Sequence, residues 1–174
     1  MTSSETLKFY HNIGSAPARA VLAVLNIGKI PHEVILKDLF KKQTRTPEYL
    51  KIFPMGHLPA ISLGDFHLSE SGPIMTFLCE KYADSLPANL FPKNINKRAK
   101  VLELLSFNAA EFRPSVNGLV MLKFMQVFAG EPFTSAQYER ATQKIDVILT
   151  LLDQLIVLNG GYVAGTELTI ADIL

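Results

Sequence analysis

Tryptophan is absent from this 174-residue chain, and cysteine occurs once. A lone thiol excludes an intrachain disulfide and a cysteine-rich zinc site. The four histidines are scattered, with no spacing that sets two ligands on one helix face, so no metal site is expected. Charge is scarce and balanced: 17 Lys plus Arg against 16 Asp plus Glu give a formal +1, and charged residues make up 19% of the chain. That balance offers no electrostatic footprint for nucleic acid or an anionic membrane. No uninterrupted apolar run approaches the ~20 residues of a membrane span. The opening MTSSETLKFYH lacks the basic-then-apolar order of a secretory leader. What is present is 48% hydrophobic residues, at the globular norm, on a length that fits one or two small domains. A soluble protein of the reducing, cytoplasmic compartment is the expectation.

The two halves differ in period. Residues 1–83 change pattern every few positions, and residues 96–174 carry long helical patterns. Between them, 84–95 reads as a linker, with Pro87, Pro92 and two asparagines. The first half orders as β-α-β-α-β-β-α. Leu7 and Phe9 alternate with Lys8 in a short strand. A turn with Asn12 and Gly14 leads to a helix with Pro17 in its first turn and Gly28 past its end. EVILKDL is a second strand, Thr46 caps a short helix opened by Pro47, and LPAISL and DFHLS form a hairpin about Gly64-Asp65. Glu70-Ser71-Gly72-Pro73 opens a helix through Tyr82. In the second half one helix runs from Asn96 to about Phe128, and Pro114 should break or kink it. Another runs from Thr134 to Asn159, with Ile145, Ile148, Leu149, Leu152, Leu155 and Ile156 in one stripe. Thr169-Ile170-Ala171-Asp172 has the form of a helix cap with an acid three residues on, so the sequence is expected to continue past Leu174 and the helical domain to be incomplete.

That order builds a thioredoxin-like sheet, with an antiparallel hairpin at its edge. Functional groups in such a fold gather where the first strand hands over to the first helix and at the loop before the third strand. In GSAPARAV, Ser15 stands just outside the helix, where a hydroxyl donor and the helix dipole together suit a thiolate. Bringing a thiol from a pKa of ~8.5 to about neutral takes roughly 2 to 3 kcal/mol, within reach of those two groups. Ser15 is equally a plain helix cap. No Cys stands at that turn, so thiol–disulfide exchange is excluded, and Cys79 reads as a buried, inert thiol. In FPMGHLPAI, Leu58 before Pro59 reads as the start of an edge strand whose free backbone pairs with a peptide-like ligand, or as an ordinary turn. In SESGPI, Glu70 and Ser71 at a helix start suit the ammonium and carboxylate of an amino-acid end, or form a plain cap.

Taken together the three segments resemble a glutathione S-transferase of the theta and delta type, which uses serine. The resemblance runs through FYHNIGSAPARAV, GHLPAI, LSESGPIMTFLCEKY, SFNAAEFRP and GTELTIADIL. It implies a thioredoxin-like domain followed by a helical domain, and conjugation of glutathione, as co-substrate, to a small hydrophobic electrophile with no permanently bound cofactor. It implies that Ser15 stabilises the thiolate and that the Leu58 backbone, before a cis Pro59, pairs with the cysteinyl residue. Glu70 and Ser71 would hold the γ-glutamyl end, and His57 and Arg45 the glycine carboxylate. Phe107, Ala110, Arg113, Val116, Asn117 and Met121 would serve the electrophile. A homodimer is implied, with Met75 and Phe77 as apolar contact candidates. The sequence departs from the family pattern at Gly72, after the Glu-Ser pair, and at Thr44, where a His is frequent. Tyr10 is a lower-ranked donor in place of Ser15. The alternative function is a non-catalytic binding or scaffold module on the same fold.

Overall fold

The computed structural model describes residues 6–130 and 132–174; the reading of residues 1–5 as no leader lies outside the described residues. The chain divides into two compact units, one running to Lys93 and including Ile173–Leu174, the other Asn94–Asp172. No helix among the described residues is long and apolar enough to cross a membrane.

In the first unit, β1 (Leu7–His11) is followed by α1 (Ala16–Ile27), β2 (His32–Leu36), α2 (Pro47–Ile52), β3 (Ala60–Leu63), β4 (Phe66–Ser69) and α3 (Ser71–Lys81). The sheet order is β2-β1-β3-β4, with β1–β2 parallel and the other pairs antiparallel, a thioredoxin-like mixed sheet. Alternation along β1 buries Leu7, Phe9 and His11, and leaves Lys8 exposed and Tyr10 half-buried. Phe9, Ile61, Val21, Val24, Leu25, Ile74, Met75 and Leu78 are fully buried and form the main core. Tyr10 instead meets Tyr49 and Phe53 of the α2 region edge-on, at 5.9 and 5.0 Å between ring centres. Helix α2 needs few residues because Thr46 caps it and Pro47 supplies a preset first turn.

Three expectations change here. The third strand is not an edge: Ile61 pairs with Phe9 on one side and Leu68 on the other. The expected hairpin covers one side, and β1, far away in sequence, covers the other, a non-local pairing that no local residue pattern signals. The stretch 84–95 is composed like a linker, yet Leu86, Leu90 and Phe91 are buried. Leu86 fits because a Cβ on Gly28 would stand 2.9 Å from its Cδ2. Met75 is wholly buried in this unit's core and presents no surface to a partner.

The second unit opens with α4 (Ile95–Phe107), whose cap Asn94 accepts from the amides of Asn96 and Lys97, both at 3.1 Å. A π-helical turn, Asn108–Phe112, then leads without interruption into α5 (Arg113–Phe124). Pro114 therefore neither breaks the helix nor ends it. The wider turn ahead of it takes up the missing amide and the ring, and the Ser115 hydroxyl donates to the Glu111 carbonyl at 2.7 Å. A second π turn, Met125–Ala129, ends at Gly130. Helix α6 (Ser135–Asn159) starts from a reciprocal cap between Thr134 and Gln137 and packs on α5. Of its apolar stripe, Ile148 is buried, Ile145, Leu152 and Leu155 are half-buried, and Leu149 and Ile156 stand exposed.

The four-residue helix α7 (Ile170–Ile173) carries the expected cap. Asp172 accepts from the Thr169 amide at 2.8 Å, the Thr169 hydroxyl at 2.9 Å and the Val163 amide at 2.8 Å. Asp172→Ala strands two amides near a buried threonine and is expected to destabilise the second unit by about 3 kcal/mol, read from urea unfolding.

His11 is buried with no partner for its Nδ1 among the described residues, and its ring stacks on Phe9 at 5.1 Å. Burial holds its pKa below the usual 6.5, opposed by a backbone contact with Asn12 and aided by His32. A lowered folded pKa means that the unfolded chain takes up the proton first. The stabilisation is present above pH 6.5 and is lost as pH falls toward the folded value. Unfolding free energies at about pH 7.5 and about pH 5.5 are expected to differ more in the parent than in His11→Leu.

Candidate functional site

The turn from β1 into α1 is built by Asn12. Its Oδ1 accepts from the Gly14 amide at 2.9 Å, its Nδ2 donates to the Lys37 carbonyl at 2.8 Å, and its carbonyl accepts from the Ser15 amide at 2.9 Å. This fixes Ser15 at the start of α1. Its Oγ accepts from the Ala18 amide at 3.4 Å, so the residue does cap the helix. A hydroxyl has one proton and two lone pairs. The cap uses a lone pair and leaves the proton to donate outward, so capping alone does not exclude the thiolate reading.

The loop before β3 is equally constrained. The Leu58–Pro59 peptide is cis. The Tyr49 hydroxyl donates to the His57 carbonyl at 2.8 Å, and burial pushes that phenol's pKa up, so it stays protonated as a donor. Gly56 has φ +63, and a Cβ there would stand 2.9 Å from the Thr44 carbonyl and 2.6 Å from Arg45 Nη1. Only glycine lets the loop close on those atoms. The Leu58 amide and carbonyl take no partner among the described residues, because the sheet ladder begins at Ala60. A free backbone pair thus exists where the sequence placed one, at the strand's entrance and not along a sheet edge.

Ser15, Arg45, His57 and Leu58 line one cleft of about 570 Å³, with Leu39, Lys42, Thr44 and Gly56. Glu70 joins it through His57, whose Nδ1 lies 3.1 Å from Glu70 Oε1. Ser71 follows at the first turn of α3. Glu70 precedes that helix at φ 74, ψ 127 and makes no side-chain cap, so the plain-cap reading of SESGPI fails. The first amides of α3 are left to whatever anion comes there. Tyr10 lines a different cleft, with Lys8, Glu33, Ser62 and His67, and the donor role considered for it falls away.

The electrophile candidates all lie in the second unit. Phe107 ends α4, Ala110 is in the π turn, Arg113 begins α5, and Val116, Asn117 and Met121 follow along it. Phe107, Arg113 and Val116 are half-buried; Ala110, Asn117 and Met121 are exposed. Sequence reasoning missed Lys42, which only the folded loop brings into the cleft, and the bracing roles of Asn12 and Tyr49. An Asn two residues before a Gly signals the first brace. Among the described residues no His, Cys, Asp and Glu cluster is placed to hold a metal ion.

Cys79 lies on α3, buried, and does not line the cleft; burial pushes its thiol up to about 11, with Glu80 adding to the rise. At pH 8 burial therefore keeps the thiol protonated. Iodoacetamide is expected to leave the native protein unmodified over an hour at that pH and to label it fully in urea, as intact mass will show.

A family model described as "Glutathione S-transferase, N-terminal domain" matches residues 9–86. Human glutathione S-transferase theta-1 is 31% identical over 168 residues, covering 96% of this chain and 69% of that protein. The solved structure of human glutathione transferase theta-2, in complex with glutathione and an unknown ligand, superposes with a TM-score of 0.88 at 30% identity, over 96% of this chain and 68% of that one. A delta-class glutathione transferase from Nilaparvata lugens gives a TM-score of 0.82 at 32% identity, over 96% and 74%.

Proposed function

The chain belongs to the glutathione S-transferase family, with theta- and delta-like character, and on that premise we propose how its residues carry the transfer of glutathione to an electrophile. Glutathione lies in the cleft with its cysteinyl backbone on the free amide and carbonyl of Leu58. Its γ-glutamyl end meets Glu70 through the ammonium, and the Ser71 hydroxyl and α3 amides through the carboxylate. The sulfur faces Ser15. The thiol loses its proton to solvent, and the anion is held by the Ser15 O–H and the N-terminus of α1. The thiolate electron pair then attacks the electrophilic carbon, a C–S bond forms, and the leaving group departs with its bonding electrons. Holding the sulfur in place supplies the entropic part of the acceleration. Phe107, Ala110, Arg113, Val116, Asn117 and Met121 are assigned to the electrophile, whose small hydrophobic character rests on the apolar members of that set.

The observation that carries this reading is the Ser15 hydroxyl, capped onto Ala18 with its proton free, in one cleft with the unpaired Leu58 backbone. Nothing observed in the cleft favours the non-catalytic module. Homodimer formation is proposed from the resemblance, without Met75. Phe77 stacks on half-exposed Phe66 at 4.8 Å and remains the aromatic candidate for that surface. Cytoplasmic placement is proposed from the lone, buried thiol, which needs no oxidising compartment.

Ser15→Ala is expected to lower kcat/KM with an aryl halide on the order of 100-fold. The glutathione Kd should change by less than about threefold, because the backbone and γ-glutamyl contacts remain. The thiol of bound glutathione, titrated by its thiolate absorbance, should move back toward ~8.5. A variant that keeps the parent rate would remove Ser15 from the mechanism.

A further inference from the structure

On the face of the sheet that carries α2, strand pairing sets four polar side chains in one row. Glu33 of β2 stands beside Lys8 of β1, Lys8 opposite Ser62 of β3, and Ser62 opposite His67 of β4. The neighbouring stretch of this face is closed by α2, where Tyr49 and Phe53 pack with Ala60. The polar row stays open and lines a cleft of about 490 Å³, which Tyr10 shares. None of these residues lines the cleft that holds Ser15.

Ser62 is 6% exposed, while Lys8 and His67 on either side of it are exposed, so its hydroxyl lies at the bottom of the row. Its strand is paired on both sides. An apolar β-branched residue suits such a position better, and a buried hydroxyl destabilises unless it is bonded. The partner here is His67, whose Nδ1 lies 2.9 Å from Ser62 Oγ. Residues directly opposite in an antiparallel pair have Cβ atoms about 5 Å apart, so the register itself holds the two together. The Phe53 ring meets the His67 ring edge-on at 5.8 Å between centres and limits its rotation. On the other side, the fold leaves two donors uncommitted. Lys8 makes no ion pair, and the Tyr10 hydroxyl no hydrogen bond, among the described residues. A hydroxyl within hydrogen-bond reach of a held imidazole, in a cleft with idle donors, is the arrangement of acyl transfer.

We propose that Ser62 and His67 form a second reactive pair, a nucleophile and its base, which accepts the acyl group of small activated esters without glutathione. With the ring proton on Nε2, Nδ1 is bare and accepts from the hydroxyl. The Ser62 proton passes to Nδ1, and the oxygen's electron pair attacks the acyl carbon. The carbonyl oxygen becomes negative, and the Lys8 ammonium and Tyr10 hydroxyl are the donors on that side. The bond to the leaving oxygen then breaks; that oxygen keeps the bonding pair and takes the proton from His67. Water completes the cycle. It gives a proton to His67 as its oxygen attacks the acyl carbon, the acid departs, and Ser62 recovers its proton from His67.

The test uses p-nitrophenyl acetate on the whole chain with no glutathione present. Its leaving group makes acylation outpace deacylation, so the acyl form accumulates. The parent is expected to release a burst of about one equivalent of p-nitrophenolate per chain, and peptide mapping after an acid quench to place one acetyl group on Ser62. Ser62→Ala should lose the burst, and His67→Gln should slow it on the order of 100-fold. A parent without acetyl-Ser62, or a burst that survives in Ser62→Ala, overturns the proposal. A pair that only satisfies a buried hydroxyl gives that first result, its loss showing in the melting temperature alone.

Discussion

A serine oxygen that accepts from the chain and donates away from it is the hinge of this structure. The bond from the Ala18 amide to Ser15 closes the first turn of α1. Because it consumes only a lone pair, the same atom that finishes the helix faces the cleft with its proton unspent. The surrounding braces serve that orientation. Asn12 ties the turn to the segment after β2, and the Arg19 guanidinium donates to the Ile13 carbonyl at 2.7 Å. Central β1 delivers its last residue to this point only because it is paired on both sides.

The cleft joins ends of elements that are far apart in sequence. Two of the three non-glycine residues with positive φ among the described residues, Lys42 and Glu70, belong to this region, as does Gly56. Backbone that is awkward to hold is thus concentrated where ligand chemistry is placed, and the rest of the sheet is regular. A near-neutral chain carries here a local pair of positive charges, Lys42 and Arg45, with the Glu70 carboxylate at one side. That separation of sign suits a ligand with an ammonium at one end and carboxylates at both.

Much of this was legible because it is local. The alternation of Leu7, Lys8 and Phe9, the Thr46-Pro47 start, the Thr134 and Thr169 caps and Gly160 after Asn159 are signals within a few residues, and the elements stand where those signals put them. The candidates Ser15, Arg45, His57 and Leu58 meet in one cleft for the same reason: each sits at an element boundary that can be read. What escaped is non-local or compensatory. Burial of β3 between two strands depends on its pairing with β1, far away in sequence. The contact between His57 and Glu70 spans 13 positions. The left-handed Lys42 is set by Asp38 and Gln43, which no composition rule singles out. Pro114 reads as a breaker, and only the conformation of the preceding turn shows how the helix accommodates it.

That wide turn has a consequence for how sequences of this kind can vary in length. Between Asn108 and Phe112 the helix holds one residue more than an α-helical turn would. Each residue of an α-helix advances the side chains by about 100°. In regular winding an extra residue would swing everything after it by that angle, and the wide turn absorbs it instead. Losing a single position from this segment would restore regular winding and leave Arg113 to Phe124 on nearly the same face, so the face that α5 turns to α6 would be kept. The same loss in the middle of α5 would rotate the rest of that helix, so this stretch is where the helix can change length by one residue without changing its packing.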